Sequence, residues 1–167
     1  QPRRQRQMCI RDSNNCNLKR KINFNLSKDS NLLLCENIIF GRTSMKEKFE
    51  KGYFSDFWNI NVDNKLIHTE AINTGLFEKK YLNSFSTLNN NSAVATIIIV
   101  GNKFLNNVNN LSETLTNNEN TTSNYSNWDN KLIVRLLSKD SYNLKFAIDK
   151  ILSYFFEGSK IPKVWNI

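Results

Sequence analysis

His68 and Glu70 stand two residues apart in "KLIHTEAI". On a strand that spacing puts both side chains on one face. An imidazole nitrogen beside a carboxylate oxygen is an acceptable donor pair for a borderline divalent ion. His68 is also the only histidine. Any Ser-His-Asp or Cys-His nucleophile would need it as base, and no Gly-x-Ser-x-Gly elbow surrounds a serine. Glu36 is the second conspicuous group. It lies inside "LLLCENIIF", where an unpaired carboxylate would cost several kcal/mol or be neutralised. It therefore calls for a partner: an arginine, a bound ion, or water in a channel. Arg135, in the similarly apolar "KLIVRLL", is the simplest one. "FGRTSMKEK" is not a phosphate loop, because the Gly-x4-Gly-Lys-Ser/Thr spacing is absent. One glycine, Gly41, cannot build the nest of N–H groups that grips phosphate.

The composition removes other chemistries. The three cysteines, Cys9, Cys16 and Cys35, are odd in number and form no Cys-x-x-Cys, which argues against a disulfide framework or a zinc site and for a reducing, cytoplasmic setting. The longest apolar run, "AVATIIIVG", is about half the ~18 residues a membrane helix needs. The net charge is +8 over 167 residues, and four of its arginines fall in residues 1–13. The rest of the chain uses lysine for most of its positive charge, so residues 1–13 read as a foreign leader. Removing their four Arg and one Asp from the 23 basic and 15 acidic residues leaves +5. The remaining lysines are scattered among acids, unlike the one-sided cluster of a nucleic-acid footprint. The abundant asparagine is compositional bias.

The elements that must position these groups are mostly strands. Leu18, Ile22, Phe24 and Leu26 alternate with Lys19, Lys21, Asn23 and Asn25, the period of a half-buried strand. "SKDSN" is a turn, and "LLLCENIIF" is a central strand ended by Gly41. "YFSDFWNINV" and "KLIHTEAI" flank Asp63-Asn64, the best hairpin signal in the chain. A regular hairpin there sets Asn61 against Leu66, Asn59 against His68, and Phe57 against Glu70. Trp58 and Ile60 would share the other face with Ile67 and Thr69. By that register His68 and Glu70 lie on the more polar side, and a solvated face explains them more simply than a metal does. Residues 93–101 and 131–137 read as buried strands and 102–115 as a short helix. The polar "TNNENTTSNYSN" reads as a long mobile loop. Leu144, Ala147, Ile148, Ile151, Leu152 and Phe155 mark an amphipathic helix, capped by Ser138 or Asp140 and stopped near Gly158. Pro162 then imposes an extended exit. The fold class is α+β, mostly β.

These motifs, in this order, resemble the urease accessory protein UreD family (UreH in some bacteria). Glu36, Gly41, Arg42, Met45, Glu47, Phe49, Gly52, Asp56, Trp58 and Glu70 fall where the family pattern wants them. "VATIIIVG", the Trp128 to Leu137 segment with Arg135, and "IPKVWNI" with Pro162 and Trp165 agree independently. Lys46 departs from the pattern, standing where the family prefers glycine. Family members have a longer N-terminus, so residues 14–167 read as the C-terminal part of a single UreD-like domain. The resemblance implies stacked β-sheets with a C-terminal amphipathic helix. It implies a non-catalytic cytoplasmic scaffold in urease maturation, binding apo-urease and UreF, which recruits the GTPase UreG. It implies nickel in transit through a water-filled tunnel and no tightly bound cofactor. Glu36, Glu70 and His68 are then the candidate nickel path. Gly41, Arg42, Glu47, Gly52, Trp58, Arg135, Pro162 and Trp165 are structural motif positions. The competing reading is a cytosolic β-rich interaction module unrelated to nickel.

Overall fold

A computed structural model describes residues 9–10, 16–41, 51–78, 83–105, 108–157 and 161–162. The described residues form eight strands and three helices: β1 (Cys9–Ile10), β2 (Cys16–Leu26), β3 (Leu32–Phe40), β4 (Lys51–Val62), β5 (Lys65–Glu78), β6 (Ala93–Val100), α1 (Asn102–Leu105), α2 (Leu111–Thr114), β7 (Thr121–Trp128), β8 (Lys131–Ser138) and α3 (Ser141–Phe155). A single 3-10 turn at Val108–Asn110 precedes α2. The strands form two sheets, one of five strands in the order β1-β3-β6-β8-β7 and one of three in the order β2-β4-β5. The expected class, α+β and mostly β, is the one observed. Apart from Ile10 of β1, each sheet belongs to its own compact unit.

In the five-stranded unit, one face of the sheet and α3 make the core. Ala95, Ile97, Ile99, Leu132, Val134 and Leu136 pack with Leu144, Ala147, Ile148, Ile151, Leu152 and Phe155. The helix turns one apolar stripe inward, as its spacing requires. Asp140, not Ser138, caps it: the carboxylate accepts the Asn143 N–H at 2.8 Å. That bond holds the Asp140 carboxyl below its ordinary 3.8. Gly158, the expected stop, lies outside the described residues. The segment read as a mobile loop is in part a strand. From Thr121 onward it pairs with β8 in an unbroken antiparallel register. Its side chains are mostly Thr, Ser and Asn because β7 is an edge strand with only one half-buried face. The missed signal was Asp129-Asn130, a two-residue turn with both φ positive (46° and 56°), which asparagine and aspartate tolerate. The short helix expected over 102–115 is broken into α1, the 3-10 turn and α2, with Val108 and Leu111 buried. Of the expected leader, only Cys9–Ile10 is described, as the outermost strand of the sheet.

In the three-stranded unit, β2 runs parallel to β4, and β4 runs antiparallel to β5. A parallel pair cannot be joined by a hairpin; here β3, in the other sheet, intervenes. Asp63-Asn64 makes the expected tight turn, with φ of 47° and 62°. The register beyond it departs from a regular hairpin. A β-bulge between Ile60 and Asn61 keeps Asn61 opposite Leu66 but sets Ile60 opposite His68, Asn59 opposite Thr69, and Trp58 opposite Glu70. One extra residue on a strand turns every following side chain to the other face. The resulting outer face is self-satisfied: Asn59 donates to Asn23 at 3.0 Å and accepts from Thr69 at 3.1 Å, and Asn61 donates to Asn25 at 3.0 Å. A second register shift, at Phe54/Ser55, is closed by Thr74, whose hydroxyl accepts from the Phe54 N–H and donates to its carbonyl.

Candidate functional site

The bulge decides the character of the site. His68 and Glu70 do not lie on a solvated face beside Asn59, as a regular hairpin would have placed them. They lie on the inward face with Trp58 and Ile60. Glu70 is only 6% exposed, and its Oε2 is 3.5 Å from His68 Nε2. The simpler reading of the pair as surface groups is therefore wrong, and its cause is the single residue the bulge inserts.

The same face carries a second polar pair. Arg20 on β2 is directly opposite Asp56 on β4. Its Nε donates to Asp56 Oδ1 at 2.8 Å, and its Nη2 donates to Oδ2, a bidentate bridge. Asp56 is 3% exposed. The guanidinium also lies over the Trp58 ring, 5.6 Å from its centroid. Phe24 meets the same ring edge-on at 6.3 Å. The Trp58 indole is thus held from two sides. Its Nε1 is buried and has no hydrogen-bond acceptor among the described residues. Arg20 was missed as a partner for Asp56, although a signal existed. Arg20 falls in the apolar phase of Leu18, Ile22 and Phe24, and Asp56 falls in that of Phe54, Trp58 and Ile60. Opposite charges in the buried phase of two strands announce a cross-sheet pair.

Glu36 belongs to the five-stranded unit. It is half-buried and occupies one row across the sheet: Glu36 opposite Thr96, Thr96 opposite Arg135, Arg135 opposite Asn124. Arg135 Nη1 donates to Thr96 Oγ1 at 3.3 Å. Arg135 is exposed, not buried as its apolar neighbours suggested, because a long arginine at this row can reach water. The buried cation of β8 is instead Lys131, whose Nζ lies 4.8 Å from the centre of the Trp128 ring and 3.8 Å from Asp129. Cys35, next to Glu36 on the helix-facing side, is inert. Burial, aided by the charges of Glu36 and Asp149, pushes its thiol up to about 12. Asp149 on α3 is itself raised by burial, with Lys145 opposing.

Among the motif positions, Gly41 ends β3 at φ 93°, a conformation only glycine adopts freely. Gly52 is a strand residue opposite Cys16 and Phe77. Pro162 is exposed. Arg42, Glu47 and Trp165 lie outside the described residues. Among the described residues, no three or more His, Cys, Asp or Glu side chains gather closely enough to hold a metal ion. His68 and Glu70 bring one imidazole and one carboxylate to the same face. A structural metal takes three or four such donors. No helix among the described residues is long and apolar enough to cross a membrane.

Comparison with known proteins agrees with the motif order. The model of the UreD urease accessory protein family matches residues 13–166. The urease accessory protein UreD of Rhizobium leguminosarum bv. viciae is 31% identical over 153 residues, covering 90% of this chain and 54% of the relative. That of Rhizobium leguminosarum bv. trifolii (strain WSM2304) is 29% identical with the same coverage. That of Agrobacterium fabrum is 27% identical over 154 residues, covering 90% and 51%. The chain spans about half the length of the curated relatives it matches. With a family match running almost end to end, the chain belongs to the UreD family of urease accessory proteins.

Proposed function

We propose that this chain is a non-catalytic component of urease maturation that binds nickel in transit and passes it toward apo-urease. The observation that supports this most directly is the buried His68–Glu70 pair, 3.5 Å apart on the inward face of the three-stranded sheet. A carboxylate is expensive on an apolar face unless a cation compensates it. Here the carboxylate stands 3.5 Å from an imidazole that is itself a good ligand for a borderline divalent ion. Glu36, on the other sheet, is the further candidate for the path. UreF, UreG and apo-urease are the partners of this reading, and the cytoplasm is its compartment.

The test uses a full-length UreD carrying these residues. Glu36→Ala and Glu70→Ala, introduced together, should leave co-purification with UreF and apo-urease intact and lower the nickel content of the activated urease. Unchanged nickel content refutes the conduit. Loss of the complex itself, with the variant still folded, would instead assign the two acids to partner binding.

A further inference from the structure

β7 is the outermost strand at one end of the five-stranded sheet. An open strand edge is a template on which another chain can pair. The strand itself carries none of the usual protections. Thr121 to Trp128 contains no charged residue, proline or glycine, and its register with β8 runs without a bulge. A regular, uncharged segment of this kind readily pairs with a copy of itself. The residues just before β7 close it instead. In an antiparallel ladder alternate residues turn their N–H and carbonyl groups outward; on β7 these include Thr121, Ser123 and Tyr125. The Thr121 N–H donates to Asn118 Oδ1 at 2.8 Å, and its carbonyl accepts from the Asn118 N–H at 2.9 Å. The Ser123 N–H donates to Asn117 Oδ1 at 2.7 Å. The Ser123 hydroxyl accepts from the Thr116 N–H and donates to the Thr116 carbonyl, both at 2.9 Å. The Tyr125 N–H donates to Asn124 Oδ1 at 2.8 Å.

We propose that residues 116–118 are a strap that closes β7 to strand addition by a second copy of this chain. Asparagine suits the task, because its side-chain carbonyl stands in for the backbone carbonyl of a next strand. The strap satisfies the outward N–H groups without presenting a ladder edge of its own. It is held at both ends. Leu115 packs against the apolar core of the five-stranded unit, and the turn into β7 is tied by Asn118 Oδ1, which also accepts from the Asn120 N–H at 2.9 Å. The occupant it excludes is a second copy, because β7 is uncharged along its whole length. Two antiparallel β7 edges can therefore meet about a two-fold axis with no like charges opposed. An incoming strand must first displace the strap's bonds to Thr121 and Ser123. This inference is independent of the nickel reading.

The test combines amide hydrogen exchange with sedimentation equilibrium. In the wild-type chain the Thr121 and Ser123 amides should exchange at least roughly tenfold more slowly than in an unstructured peptide. Asn117→Ala/Asn118→Ala should release both amides and strengthen self-association by roughly tenfold or more, the effect of losing two hydrogen bonds at the edge. Circular dichroism checks that it remains folded. Asn117→Asp/Asn118→Asp keeps the acceptor oxygens and should keep both the protection and the wild-type sedimentation. Ser126→Lys, added to the alanine variant, puts a charge on the same edge and should reverse the gained association. Unprotected Thr121 and Ser123 amides in the wild type overturn the inference without recourse to any variant. Released amides with unchanged sedimentation overturn it too, as does a gained association that Ser126→Lys leaves in place.

Discussion

The Arg20–Asp56 bridge allows the sharpest test of how the three-stranded unit is held together. Two parallel hydrogen bonds join the pair, and the two partners are unequally buried. Asp56 is 3% exposed, whereas the Arg20 side chain is 24% exposed. The attraction at ~4 Å and an effective dielectric of ~20 is about 4 kcal/mol, much of it offset by desolvation. The net value of the pair is thus small, but the cost of breaking it is not, and the direction of breaking matters. Arg20→Ala strands a carboxylate that water cannot reach, at about 3 kcal/mol. It also removes the cation–π contact with Trp58, at about 0.5–1 kcal/mol. Asp56→Ala leaves an arginine whose head can rehydrate, at about 1.5–2 kcal/mol. At 2–4 °C per kcal/mol for a chain of this size, Arg20→Ala should lower Tm by roughly 10 °C and Asp56→Ala by about half that. Urea denaturation of both single variants and the double variant gives the coupling directly. The reasoning fails if Asp56→Ala costs as much as Arg20→Ala, or if both stay within about 0.5 kcal/mol of the wild type.

Three further outcomes are expected. Asp140→Ala removes the cap of α3 and should cost about 1 kcal/mol at neutral pH. Since the folded Asp140 carboxyl lies below 3.8, its contribution is complete above that value and is lost as pH falls through the folded pKa. The variant's acid limb in a stability–pH titration should accordingly be shallower. Cys35 titrates at about 12 folded against 9.0 unfolded, so its contribution is complete below pH 9 and lost as pH rises toward 12. Cys35→Ala should flatten the alkaline limb. In a Cys9→Ser/Cys16→Ser background, Cys35 should resist thiol reagents until urea unfolds the chain. Leu152→Ala, in the fully buried stripe of α3, should cost about 2–5 kcal/mol by urea denaturation; a cost below 1 kcal/mol would show that the helix is not part of this core.

Much of the fold was legible because its signals are local. The alternation of Leu18 to Leu26, the doubly apolar runs at β3, β6 and β8, and the stripe of α3 all carry their periods openly. β7 was not legible, because an edge strand buries little and its Thr, Ser and Asn side chains imitate a loop. Pairing with β8 is what makes it a strand. The candidate site divides the same way. Glu36 was conspicuous as an acid in an apolar run, and the His68–Glu70 spacing was visible as a shared face. Which face they shared was not visible.

The sequence by itself determined the family, most of the strands and the long helix, the tight turn at Asp63-Asn64, and the residue types available for chemistry. All of these depend on neighbours along the chain. The tertiary structure decided the register. A bulge at Ile60/Asn61 adds one residue to β5 relative to β4, and with a side-chain period of two that single residue carried His68 and Glu70 from the solvent side to the buried side. It also brought Glu70 opposite Trp58. Arg20 met Asp56 through a parallel pairing of strands that are not consecutive in the chain. The buried polar face arises from pairings between strands, and no local pattern in the chain specifies which residue of one strand stands opposite which residue of the next.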